Sequence, residues 1–157
     1  MTAILWNCNS IRNKTHYLDT LIKAHDPLII VLTETQLDQT VIDNELNMHN
    51  FDIFRRDRPS KGGGVLIAIK SVSGVKVSNC FRDTEEEMIV LKLTIFNFPV
   101  SIVAYYRPPS STNLNSLVNF FLIIVLLIAI SFCWETSTFL SFSGRVIIQL
   151  SHLQVER

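Results

Sequence analysis

Apolar positions along the first third of the chain change period twice. Ala3–Trp6 is a short apolar run that gives way to the polar stretch Asn7–Asn13, which reads as a strand ending in a loop. From Thr15 to Asp26 the apolar residues Tyr17, Leu18, Leu21 and Ile22 recur three and four apart, the spacing of one helix face. Thr15 is the expected N-cap, and Pro27 closes the helix. Leu28–Leu32 is a continuous run rich in β-branched residues, short enough to be a strand covered on both faces. Strand, helix and strand in this order predict a parallel pair joined by a crossover.

Further on, strands follow one another without helices. Phe51–Arg55, Val65–Lys70, Val75–Ser78, Met88–Phe96 and Val100–Tyr106 are the candidates. Asn97-Phe98-Pro99 breaks the last two and predicts a hairpin. Gly62-Gly63-Gly64 is a permissive hinge into Val65, without the Lys-Ser/Thr of a phosphate loop. Glu85-Glu86-Glu87 reads as an exposed turn, and Pro108-Pro109-Ser110-Ser111 as a loop. The class is α/β.

Charge divides the chain. Of 14 basic and 14 acidic residues, only Glu135, Arg145, Glu156 and Arg157 lie beyond Arg107. Two textures therefore join near Asn115, and residues 1–112 and 113–157 are read as separate segments. Leu117–Trp134 carries no charge. As a helix it would run roughly 27 Å at about 1.5 Å per residue, enough for a bilayer core. Ile123–Ile130 reads equally as a buried strand, and a frame or exon change near Asn115 is the third reading. A formal net charge of zero argues against a strongly basic nucleic-acid arm. Cys8, Cys80 and Cys133 have no zinc or disulfide spacing, and Met1–Lys14 does not read as a secretory signal.

Candidate chemistry sits where strands should end. Trp6-Asn7-Cys8-Asn9 follows the first strand, Thr33-Glu34-Thr35 the second, and Tyr106-Arg107-Pro108-Pro109 the last before the join. Sites of α/β folds gather at such strand ends. A carboxylate beside an amide oxygen suits a hard cation such as Mg²⁺. A tyrosine hydroxyl with a nearby basic group suits a phosphate. Arg55, Arg56, Arg58 and Lys61 form a basic patch around Asp57 that fits either a DNA backbone or a solvated loop.

The blocks WNCNSIR, VLTET, FDIFRRDRPSKGGGVLIAIK and AYYRPP, in register over residues 3 to 112, resemble the endonuclease/exonuclease/phosphatase superfamily. They are especially similar to the apurinic-type endonuclease domain of non-LTR retrotransposons. The resemblance implies a four-layer α/β/β/α sandwich of two mixed sheets flanked by helices, present here in incomplete form. It implies DNA phosphodiester cleavage with Mg²⁺ or Mn²⁺, and a nuclear or cytoplasmic location. Carried over by position, Asn7 and Glu34 hold the metal, Tyr106 contacts the scissile phosphate, and Asn9 is a neighbouring polar contact. The family also requires a Gly-Asp-x-Asn strand end and a late Asp-His pair. Neither occurs: the last aspartate is Asp83, and His152 follows a serine. The expectation is therefore a truncated, catalytically inactive nuclease domain. The rival readings are a single-span membrane protein with 117–134 in the bilayer, and an inactive module that binds metal or nucleic acid.

Overall fold

The computed structural model describes residues 1–58, 62–84 and 86–106, with the backbone of 145–150. Strand β1 (Thr2–Asn7), helix α1 (Thr15–His25) and strand β2 (Ile29–Thr33) open the chain. A short 3₁₀ turn, Asp43–Leu46, precedes β3 (Phe51–Arg56) and β4 (Val65–Lys70). Strands β5 (Val75–Arg82), β6 (Glu87–Ile95), β7 (Phe98–Tyr106) and β8 (Arg145–Leu150) complete the described elements. All lie in one compact unit, Met1–Arg107 with Gly144–Arg157.

Two sheets form. The first is mixed, in the order β3-β4-β2-β1-β8, and the second is the antiparallel meander β5-β6-β7. β1 and β2 are parallel with Asn7 opposite Thr33, so both end at the same sheet edge. The predicted crossover is thus present, with α1 as its helix. β8 runs parallel to β1 with Leu150 opposite Asn7, so the segment set apart by charge returns a strand to the first sheet.

Strand alternation builds two cores from one sheet. Ile4, Trp6, Ile30, Leu32, Leu66 and Ala68 point to the α1 side, where they pack with Ile11, Leu18, Leu37, Val41, Leu46 and Met48. Ile29, Val65, Ile67 and Ile69 point the other way, onto Ile89, Leu91, Leu93 and Ile95 of the second sheet. Every residue from Val65 to Ile69 is therefore buried, which is why β4 reads as unbroken apolar sequence. At about 1.5–3 kcal/mol per large apolar side chain buried, these two layers dominate the stabilisation.

Three local expectations change. Thr15 is the first helical residue rather than the cap: Lys14 holds the cap position without a side-chain cap bond. Its ammonium bonds instead to the carbonyls of Cys8 and Asn9. The hairpin turns at Phe96-Asn97, both at positive φ (47° and 73°), the geometry that matches strand twist. Pro99 lies in the edge strand β7, where a missing N–H is tolerated. Glu87 is buried rather than exposed, at 8% relative accessibility. The candidate span 117–134 and the alternative strand 123–130 lie outside the described residues. Among those described, no helix is long and apolar enough to cross a membrane.

Candidate active site

β1 and β2 end side by side, and the chain leaves both through left-handed backbone. Asn9 (φ 40°), Ser10 (φ 70°), Glu34 (φ 54°) and Gln36 (φ 52°) are all non-glycine residues at positive φ. Each such residue costs of order 1–3 kcal/mol and persists only where the surroundings enforce it. Here the two loops enforce each other through Cys8 N–H to Thr33 O (3.0 Å), Ser10 N–H to Glu34 O (2.8 Å) and Ile11 N–H to Thr35 O (3.1 Å). The Cys8 thiol donates to Thr33 O at 3.2 Å, and burial pushes it up to about 12. It is a packing residue, not a nucleophile.

This backbone brings the sequence-predicted residues together. Asn7 Nδ2 donates to Glu34 Oε1 at 2.9 Å, and Tyr106 is an electrostatic neighbour of the same carboxylate. Asn7 Oδ1 accepts from the Asn9 N–H at 3.3 Å, and Gln36 Nε2 donates to Asn9 Oδ1 at 3.0 Å. Burial holds the Tyr106 phenol above its ordinary range. The charge and hydrogen bond of Glu34 add to this, then the charge of Glu87, while Arg58 opposes them. Glu34, Tyr106, Glu87 and Arg58 are therefore electrostatic neighbours.

The three arginines separate. Arg55 is ion-paired to Asp43 (3.0 Å) and Asp57 (3.1 Å) with its side chain only 16% exposed, and also donates to the carbonyls of Asp38 and Val41. Arg56 spends its guanidinium on the carbonyls of Asp57, Asp83 and Thr84. Arg58 is 37% exposed and meets Glu87 at 3.4 Å through one nitrogen. Only the last lies beside Tyr106.

Lys14, Gln36 and Glu87 join the site without having been singled out from sequence. Lys14 has a weak signal, being one of two cations, with Arg12, between the first strand end and the helix. Gln36 and Glu87 have none, since a glutamine after a strand and a run of three glutamates both read as solvated.

The donor set fits a magnesium ion. Glu34 offers a carboxylate, and Asn7 an amide oxygen that here accepts the Asn9 N–H while its nitrogen faces Glu34, so that a flip of the amide would present that oxygen to the ion. Among the described residues no three His, Cys, Asp or Glu side chains converge. Mg²⁺ suits such a sparse set because it keeps several waters and binds protein through one or two carboxylates. Bound there, it would supply Lewis-acid polarisation of a phosphoryl oxygen.

Residues 4–134 match the Endonuclease/Exonuclease/phosphatase family. The chain belongs to that family. The match covers the two-sheet unit through β7 and runs past residue 112, where the sequence blocks end. No curated protein sequence matches. Among solved structures, an AP endonuclease from Archaeoglobus fulgidus is similar over 67% of this chain and 40% of its own, at 20% identity and TM-score 0.52. The 3' phosphatase NExo from Neisseria, bound to a product DNA hairpin, is similar over 83% and 52%, at 21% identity and TM-score 0.53. The human Nocturnin catalytic domain with bound sulfate is similar over 77% and 57%, at 14% identity and TM-score 0.56. These likenesses establish the two-sheet α/β fold. The chain spans about half the length of the structures it matches.

Proposed function

We propose that this chain is a retrotransposon-type endonuclease domain that keeps the metal- and phosphate-holding side of its site and has lost turnover. The observation that carries this reading is the 2.9 Å hydrogen bond from the Asn7 amide to the Glu34 carboxylate, formed where the ends of β1 and β2 meet. In this reading Glu34 and Asn7 hold Mg²⁺ or Mn²⁺, and Tyr106 and Arg58 face a DNA phosphate. Asn9 and Gln36 fix the Asn7 amide. Arg55 and Arg56 shape the loops beneath the phosphate path rather than touching it. The FRRDR and GGGVLIAIK blocks, similar to the retrotransposon branch, form β3, β4 and the loop between them, next to the site. DNA as partner is supported by the Neisseria phosphatase, which is bound to product DNA.

The inactive reading rests on sequence. Metal-assisted hydrolysis needs a positioned water and stabilisation of developing charge as well as a metal ligand. Within these 157 residues no aspartate follows Asp83, so they carry neither the Gly-Asp-x-Asn nor the Asp-His element that the resemblance calls for. Groups that act as a unit lose most of the rate together. With Mg²⁺ the full chain should nick supercoiled plasmid no faster than buffer. Nicking that vanishes in Glu34→Ala would overturn the inactive reading and make the chain a working nuclease.

A further inference from the structure

Glu87 stands at the start of β6, directly opposite Tyr106 in the β6–β7 register. Its side chain is 9% exposed. A buried carboxylate is costly unless its oxygens are paired. One oxygen of Glu87 meets Arg58, and the other accepts from the backbone N–H of Gly64. The contact is close enough that a Cβ at Gly63 would overlap the carboxylate, and a Cβ at Gly64 would stand 2.5 Å from the Thr35 hydroxyl. Both glycines sit at positive φ (71° and 88°). Glycine at both Gly63 and Gly64 is therefore what lets this loop close over Glu87 and Thr35.

The loop then reaches the site. Gly63 O accepts from Gln36 N–H at 2.8 Å, and Gly64 O accepts from Thr35 N–H at 3.3 Å. On the other side Ser10 and Ile11 bond to the carbonyls of Glu34 and Thr35. The left-handed segment that aims Glu34 is thus gripped from two directions, and one of the grips ends on Glu87. We propose that Glu87 is a positioning residue: its buried carboxylate pins the Gly62–Gly64 loop, and the loop's carbonyls hold the Thr35–Gln36 backbone that aims Glu34. The same carboxylate holds Arg58 beside Tyr106. Glu87 thereby ties the second sheet to a site built on the first. Its importance as a site residue rests on the metal- and phosphate-holding reading given above.

The test combines amide hydrogen exchange with Mn²⁺ titration on the full chain. Glu87→Ala should lower protection of the Gly64, Thr35 and Gln36 amides while Ile30 and Leu32 keep theirs. It should also weaken Mn²⁺ binding roughly tenfold, the usual effect of removing a group that orients a metal ligand. Glu87→Gln retains an acceptor for Gly64 N–H and should restore most of that protection. Loss confined to Gly64, or loss spread evenly over the core, would overturn the proposal. Should Glu87→Ala fail to fold, Gly63→Ala decides, because it presses a methyl group into the carboxylate. It must loosen Thr35 and Gln36 in the same way, and unchanged protection there overturns the proposal. Absence of Mn²⁺ binding by the unaltered chain, or binding unaffected by Glu34→Gln, would sink the functional reading instead, with the exchange pattern still deciding the role of Glu87.

Discussion

Apart from the helix caps Asp26 and Asn47, the described non-glycine residues with left-handed backbone lie at two opposite edges of this fold, for different reasons. At the far edge Phe96 and Asn97 adopt it in a two-residue hairpin beside Gly74, where the turn type itself requires it. Phe96 and Phe98 are exposed there, and Phe96 N–H bonds to Gly74 O at 2.7 Å across the corner. At the site edge Asn9, Ser10, Glu34 and Gln36 adopt it in loops that are not hairpins. They are held by bonds between segments some 25 residues apart, such as Asn7 to Glu34 at a separation of 27. One edge uses positive φ to reverse the chain. The other uses it to aim polar side chains at a common point, and strain of that kind marks a site rather than a turn.

The sharpest way to break the comparison is to damage what both edges share. Leu66 is fully buried in β4, and Leu66→Ala should cost roughly 3 kcal/mol by cavity formation, read as a lower urea midpoint. Both edges should loosen together. Glu34→Gly should separate them: it relieves left-handed strain and raises stability by up to about 1 kcal/mol while abolishing Mn²⁺ binding. A stability loss would show that the backbone there is not strained. Phe96→Gly, its counterpart at the hairpin, should shift stability by less than about 1 kcal/mol and leave Mn²⁺ binding alone.

Smaller effects test the loops beneath the site. Burial raises the Asp57 carboxyl, against the pull of Arg55. Its contribution to stability is full below the ordinary carboxylate range and is lost as pH rises through the raised value. Asp38 is lowered, first by its hydrogen bonds from Thr40 and then by Arg12. Its contribution is present above that range and is lost as pH falls through the lowered value. Melting curves from about pH 2 to 7 should therefore change on opposite flanks in Asp57→Asn and Asp38→Asn; changes on the same flank contradict these environments. The smallest effect concerns thiols. Cys8, buried and pushed up to about 12, should resist alkylation in the folded chain, whereas Cys80 is partly exposed and should react.

Strands and the first helix were legible because period and turn residues agree with the final packing. The doubly buried β4 and the parallel β1–β2 pair follow from apolar runs and a helical interval. Asn7, Glu34 and Tyr106 were legible as candidates through their places at strand ends and their resemblance to a family pattern, and the fold joins Asn7 to Glu34 with Tyr106 as an electrostatic neighbour. What stayed hidden depends on tertiary pairing. A run of three glutamates carries no mark that the third enters the interior, because the mark lies on Gly63 and Gly64, more than twenty residues earlier. Likewise Arg55, Arg56 and Arg58 look equivalent in sequence. Asp43 and Asp57 take up Arg55, and carbonyls of the β5–β6 turn take up Arg56. The sequence break Asn97-Phe98-Pro99 overlaps the turn at Phe96-Asn97 but begins one residue later and ends two later, because Pro99 attracts a turn assignment, yet an edge strand accepts it.

The central claim is that a metal-holding half-site survives here around Glu34. Mn²⁺ titration of the full chain, followed by the loss of the free-ion electron paramagnetic resonance signal, tests it most directly when run beside Glu34→Gln. The account predicts saturable binding by the unaltered chain and none by Glu34→Gln at equal folded stability. Equal binding by both, or binding by neither, would contradict it.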